Sequence, residues 1–209
     1  MPGMYQDSDY DLAGFIVGVV EKKKILKGDS IAPDDIILGL PSSGLHTNGY
    51  SLVRKVFDID QNPSVLQTCY PELGQTLGEV LLQPHRCYFN EIRPVLAKIK
   101  GLAHITGGGF IGNIPRILPQ GLAAHINKGT WQVPPIFSLM QQKGDIEDSE
   151  MYQVFNMGHR MEIYVDPQLA DSLMAIAASF NIDARIVGRV EAWSGRKLTI
   201  HTEAGIFEY

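Results

Sequence analysis

Twice in this chain a short run of branched apolar residues stops at a glycine-rich segment, and a helical pattern follows. Ile36-Ile37-Leu38-Gly39-Leu40 runs into Ser42-Ser43-Gly44-Leu45-His46-Thr47-Asn48-Gly49-Tyr50, and Leu102 to Ile105 runs into Thr106-Gly107-Gly108-Gly109-Phe110-Ile111-Gly112-Asn113-Ile114-Pro115-Arg116. A strand that breaks into glycine and restarts as a helix forces a layered arrangement, with helices packed on a sheet. It also turns backbone N–H groups outward at the positive end of a helix, which suits a phosphate or another anion. Two such loops in one chain predict a phosphorylated small molecule held between two helix starts.

The rest of the chain fits the same frame. Leu12 to Val20 reads as a strand rich in β-branched residues, ending in the solvated run Glu21-Lys22-Lys23-Lys24. Lys27-Gly28-Asp29-Ser30 and Pro33-Asp34-Asp35 mark a linker. Helices are expected over Tyr50 to Phe57, on the face carrying Leu73, Leu77, Val80 and Leu81, and on that carrying Ile92, Val95, Leu96 and Ile99. Another carries Ile114, Ile117 and Leu118. Pro134-Pro135 opens a helix that runs to Gln142 and stops at Gly144. Helical patterns also start at Met151 and at Pro167, the latter reaching Ala178. Strands are expected over Leu122 to Ile126, Met161 to Val165, Ala184 to Val190 and Lys197 to His201, the last two joined by a turn at Ser194-Gly195. Strands and helices alternate without strict order. The predicted class is therefore α/β in an α+β layered form, a mixed sheet packed with helices, rather than a pure doubly wound sheet.

Composition removes several function classes. With 209 residues the chain has room for one substantial core, or for one domain plus part of another, and its formal charge of -5 argues against broad nucleic-acid binding while leaving room for a local basic pocket. Its longest apolar run, Leu12 to Val20, is too short to span a bilayer, and the first residues have no signal-peptide pattern. Two cysteines, Cys69 and Cys87, make no disulfide framework and no metal spacing, which fits a reducing, cytoplasmic setting. No histidine has a metal-ligand spacing to a carboxylate or thiolate, so no metal ligand is expected in this chain.

Within the loops, His46 is the candidate catalytic residue. An unperturbed imidazole titrates near neutrality, at about 6.5, and can move protons or stabilise developing charge. Ser43, Gly44, Asn48, Thr106, Gly107, Gly108, Gly109, Asn113 and Asn156 are the candidate substrate-binding residues. Other roles stand beside these: Asn48 as a helix cap, Asn156 as a turn stabiliser, His104 as a packed histidine. Gly107, Gly109 and Gly112 formally make G-x-G-x-x-G, but the preceding strand is short and positions 127 to 133 hold no acid, which disfavours a dinucleotide site.

Ser43 to Lys55 resembles a signature of the phosphoribosylformylglycinamidine cyclo-ligase (aminoimidazole ribonucleotide synthetase) family. So do Ala103 to Gly109 with Asn113 to Pro119, Met151-Tyr152 with Phe155 to Gly158, and Met1 to Tyr5 with Tyr10 to Phe15. The resemblance extends from residue 1 to about 165. It implies the fold of that superfamily's C-terminal domain over 29–209, with 1–28 the remnant of an N-terminal ATP-binding domain. It further implies ATP-dependent closure of formylglycinamidine ribonucleotide to aminoimidazole ribonucleotide, in purine biosynthesis. ATP and Mg2+ would be bound mainly by a half not in this sequence, and the family's homodimer is implied as well. Two positions depart from the family pattern: Arg160, where a small residue is usual, and His85, where Thr is common. Arg160 is expected to crowd the adjacent turn. The rivals are a superfamily enzyme of the selenophosphate synthetase or thiamine-phosphate kinase type, and a non-catalytic module that binds a phosphoryl ligand or docks a separate ATP-binding half.

Overall fold

The computed structural model describes residues 14–203 and 205–209. Its centre is a seven-stranded mixed sheet. The strands are β1 (Ile36–Pro41), β2 (Gly101–His104), β3 (Leu122–Asn127), β4 (His159–Val165), β5 (Arg185–Ala192), β6 (Arg196–Thr202) and β7 (Gly205–Glu208), in the spatial order β2-β4-β1-β5-β3-β6-β7. All neighbours are antiparallel except β3 and β6, which run parallel. The helices are α1 (Tyr50–Phe57), α2 (Leu77–Leu81), α3 (Phe89–Ile92), α4 (Gly109–Ile117), α5 (Pro135–Gly144), α6 (Asp148–Val154) and α7 (Ala170–Ser179). The layered class expected from the sequence is therefore the one formed.

Alternation along the strands sorts the core onto two faces. In β1, Ile37 joins the core built with Val53 and Phe57 of α1, Phe110 and Ile114 of α4, Phe137 of α5 and Met151 of α6. Leu38 and Leu40 join the other core, with Ile92, Val95, Leu173 and Ala177 from α3, its 3-10 continuation and α7. β4 divides in the same way: Ile163 and Val165 go to the second face, Tyr164 to the first.

The segment from Leu12 to Val20 is the clearest departure from expectation. Leu12 and Ala13 lie outside the described residues, as does the Met1 to Tyr5 motif. Residues 14 to 20 form no strand, and Phe15, Ile16 and Val19 are almost wholly exposed. An apolar run becomes a strand only where a sheet edge and an apolar face receive it, and it meets neither here. Burial begins near Gly28, where a Cβ would lie 2.3 Å from the Ile117 carbonyl oxygen. A second departure concerns β5 and β6. The Ser194-Gly195 turn joins them, yet they do not pair with each other, because β3 lies between them. Leu73 sits in a turn rather than on α2, and the stretch Arg93–Lys98 is 3-10 rather than α-helix. Among the described residues, no helix is long and apolar enough to cross a membrane.

Candidate functional site

The two glycine-rich loops lie side by side. β1 and β2 both flank β4, so their ends deliver the loops to the same edge of the sheet. The Asn48 side chain and Thr106 Oγ1 meet across the gap, with Asn48 Nδ2 donating at 3.3 Å. Both loops rest on α6. A Cβ on Gly49 would lie 2.0 Å from Phe155 Cε1, and one on Gly109 would lie 2.0 Å from the Tyr152 carbonyl oxygen. Both glycines also have positive φ, 79° and 56°. Here glycine is demanded twice over, by conformation and by close approach.

Between the loops and α6 opens a cleft of about 610 Å³, lined by Thr47, Asn48, Gly49, Gly107, Gly108, Ser149, Glu150, Gln153 and Val154. Neither loop offers a side-chain cap to its helix: Gly49 precedes α1 and Gly108 precedes α4, both left-handed. Apart from Gly109, whose N–H donates to the Thr106 carbonyl at 2.9 Å, first-turn N–H groups of the two helices are thus left for an external acceptor. No lysine or arginine lines the cleft. Any anion there would be held by backbone amides, helix ends and hydroxyls.

Three other candidates are committed to the loops themselves. Asn113 Nδ2 donates to the carbonyl oxygens of Gly109 (2.7 Å), Gly107 (3.3 Å) and Thr106 (3.4 Å), pinning the second loop from inside. Asn156 is buried, and its amide group is fully used. Its Oδ1 accepts from Ser42 Oγ (2.8 Å) and Gly158 N (2.9 Å), while Nδ2 donates to Gly44 O (2.8 Å) and Leu45 O (3.3 Å). Ser43 donates its backbone N–H to His46 Nε2 at 2.9 Å, and its hydroxyl to the Pro84 carbonyl at 2.9 Å.

His46 differs from the titrating loop histidine that the sequence suggests. It is buried, with φ of 60°, and its ring stacks on His85 at 4.1 Å. His85 in turn lies 6.0 Å from the ring of His104. Because Nε2 accepts from Ser43, the ring proton sits on Nδ1, which has no partner among the described residues. Burial pushes the imidazole down to about 3, helped by His85, Arg160 and His104. His46 is therefore a neutral hydrogen-bonding group at neutral pH rather than a titrating one.

Arg160 is buried and donates from Nη1 to the Ile105 carbonyl at 2.7 Å. The neighbouring His159 fills the space that Gly39 leaves open and stacks on Trp131 at 4.2 Å. His85, His104 and Arg160 gather around His46, although the sequence pattern places none of them in the site. The departures from the family pattern at 85 and 160 were the available signal. Among the described residues, no cluster of three or more His, Cys, Asp or Glu is placed to hold a metal ion.

Residues 32–201 match the family described as AIR synthase related protein, C-terminal domain. The relatives include phosphoribosylformylglycinamidine cyclo-ligases from Caldicellulosiruptor bescii (49% identical, over 91% of this chain and 57% of that protein) and Geobacillus thermodenitrificans (48%, 98% and 59%). The chain thus spans a little over half the length of these relatives. Among solved structures, it is similar to phosphoribosylformylglycinamidine synthase II of Thermotoga maritima (TM-score 0.55, 15% identity, 92% of this chain and 28% of that one). It is also similar to thiamine-monophosphate kinase of Stenotrophomonas maltophilia (TM-score 0.55, 15% identity, 86% and 54%). Those two likenesses bear on the fold alone. With the family's C-terminal domain model matched over most of its length, this chain belongs to the AIR synthase related family.

Proposed function

We propose that this chain is the substrate-holding part of an ATP-dependent phosphoribosylformylglycinamidine cyclo-ligase, which closes formylglycinamidine ribonucleotide to aminoimidazole ribonucleotide. The observation that carries the reading is the cleft formed where the Asn48 and Thr106 loops meet. The ribose phosphate of the substrate would sit against the N–H groups that open α1 and α4, where two helix ends attract an anion without a lysine or arginine. Glu150 and Gln153, on the opposite wall, would accept or donate hydrogen bonds to ribose hydroxyls. Ser43 and Gly44 would shape the approach, and Asn113 and Asn156 would hold the two loops in register.

When bound, ATP supplies the phosphoryl group that turns the formyl oxygen into a leaving group. Magnesium and most of the nucleotide contacts belong, on this reading, to a half not in this sequence. What this chain contributes is position and local charge. His46 would present its Nδ1–H to the reacting end, as a neutral donor to charge that develops late. The enzyme would work as a homodimer in the cytoplasm.

Two measurements test this. The 209-residue chain should bind formylglycinamidine ribonucleotide, with Asn48→Asp weakening it about tenfold or more by putting a carboxylate into the cradle. It should show negligible turnover by itself. Absence of binding, or robust turnover by the chain alone, contradicts the proposal. With the remaining half supplied, His46→Ala should lower kcat by roughly tenfold to ten-thousandfold and leave KM nearly unchanged. A rise in KM alone would make His46 a binding residue.

A further inference from the structure

Arg160 is one of the largest fully buried side chains, with 1% of its surface exposed. Among the described residues it makes no ion pair; the ion pairs found there join other residues. Among the same residues its Nε has no hydrogen-bond partner, and its side chain donates to the Ile105 carbonyl alone. Glu162, on the same face of β4 and two residues along, is taken up with Tyr164 instead, accepting from its hydroxyl at 3.4 Å. A buried guanidinium without a counterion is an unbalanced charge, which the surroundings normally neutralise.

The place of this charge is specific. Ile105 links His104 to Thr106, so the guanidinium sits where β2 passes into the second glycine-rich loop. His46 lies on the first loop. Arg160 lowers the proton affinity of His46, His85 and His104 alike. His85 and His104 are exposed, and both line the end of an apolar groove of about 360 Å³ that also contains Arg86, Tyr88, Arg93 and Met161. An anion approaching between these two imidazoles would meet ring N–H donors in front, His46 stacked behind His85, and a buried cation beneath. Tyr88 brings no compensating charge, since its hydroxyl is bound to the Pro41 carbonyl and burial raises it above its ordinary range. Glu91 lies toward Arg86, at 3.9 Å.

We propose that His85 and His104, backed by His46 and Arg160, form a second oxyanion subsite for a phosphoryl group, distinct from the cradle at Asn48 and Gly108. It deepens the cyclo-ligase reading, on which it rests for its biological use: one subsite holds the phosphate already on the substrate, and the other receives the phosphoryl group that arrives and leaves. Arg160 acts through the histidines as a positioning residue. The departure at residue 85 serves the same end, because threonine there would present no imidazole.

The experiment is a titration of the 209-residue chain with inorganic phosphate, followed by the imidazole NMR resonances and the backbone amides. Saturable movement of the His85 and His104 ring resonances is expected at millimolar phosphate, with a smaller shift at His46, which stays neutral. Arg160→Gly, which restores the small residue usual in the family, should weaken that response about tenfold or more while thermal melting reports a folded chain. His85→Thr, at an exposed position, tests the site without touching the core and should weaken it several-fold. Ribose 5-phosphate distinguishes the sources: it should move the amides of Asn48, Gly49, Gly107 and Gly108 before the imidazoles. If phosphate moves only those amides, or if both variants respond like the parent, the second subsite is overturned and the cyclo-ligase reading is untouched. If the imidazoles respond but formylglycinamidine ribonucleotide does not bind the chain, the subsite stands and that reading falls.

Discussion

Glu162 is the residue whose setting has the plainest consequence for stability. It is fully buried on β4, Oε1 has no partner among the described residues, and desolvation raises its carboxyl from 4.5 to about 8. The folded chain therefore keeps a proton that the unfolded chain releases near pH 4.5. Between those two values the native state binds more protons, so this group's contribution to stability falls as pH rises. Glu162→Gln should flatten the pH dependence of unfolding free energy between pH 5 and 8 by about one proton, as read by urea melts at several pH values. An unchanged slope would contradict it. His46, His104 and His159 act with the opposite sign. Burial comes first in each case and pushes them down to about 3, 4 and 3. Their stability is present above pH 6.5 and is lost as pH falls and the unfolded chain takes up protons.

At the scale of elements, the loops are as demanding as the helices they open. Gly49→Ala must find room where Phe155 already stands, and must hold a positive φ. A loss of about 2–4 kcal/mol is expected, combining strain with displaced packing, measurable by chemical denaturation. A loss under half a kilocalorie would show that the α6 contact gives way easily. Many elements were legible beforehand because local chemistry and tertiary packing agree. Tyr50 to Phe57 has both its helical face and its glycine start, and Pro135 and Gly144 bound α5 as turn chemistry requires. Other features were not legible, for equally physical reasons. Pro94, with no N–H, lies at the start of the 93–98 stretch, which tightens to 3-10 geometry although its apolar spacing looks α-helical. The pairing of β5 and β6 depends on where β3 inserts, which no turn signal encodes. In the site, glycines and amides were visible as a loop, but whether Asn156 faces a ligand or its own backbone depends on atoms far away in sequence. The histidine cluster escaped notice because His46, His85, His104 and Arg160 come from four separate segments.

For the whole molecule, the exposed run from Gly14 to Val20 is the unfinished part. Its apolar side chains add nothing to either core, and we propose that residues 1 to about 28 belong to a different packing unit, with Leu26 and Gly28 meeting this domain at its edge. Removing residues 1 to 20 should leave the melting temperature within a few degrees, since a surface segment away from the core contributes little. It should also reduce self-association, measured by sedimentation at rising concentration. A collapse of the melting transition would show that the segment is part of this domain.

The strand order carries a cost in time. β1 is made early in the chain, yet both its neighbours, β4 and β5, lie more than a hundred residues further on. β3 likewise waits for β5 and β6. Sheets assembled from such distant pairings fold slowly, because loop closure must precede the contacts that reward it. A nascent chain leaving the ribosome therefore holds β1 unpaired until β4 emerges and β3 unpaired until β5 does, and a stop between residues 166 and 184 would leave β3 without a partner and β1 with β4 alone.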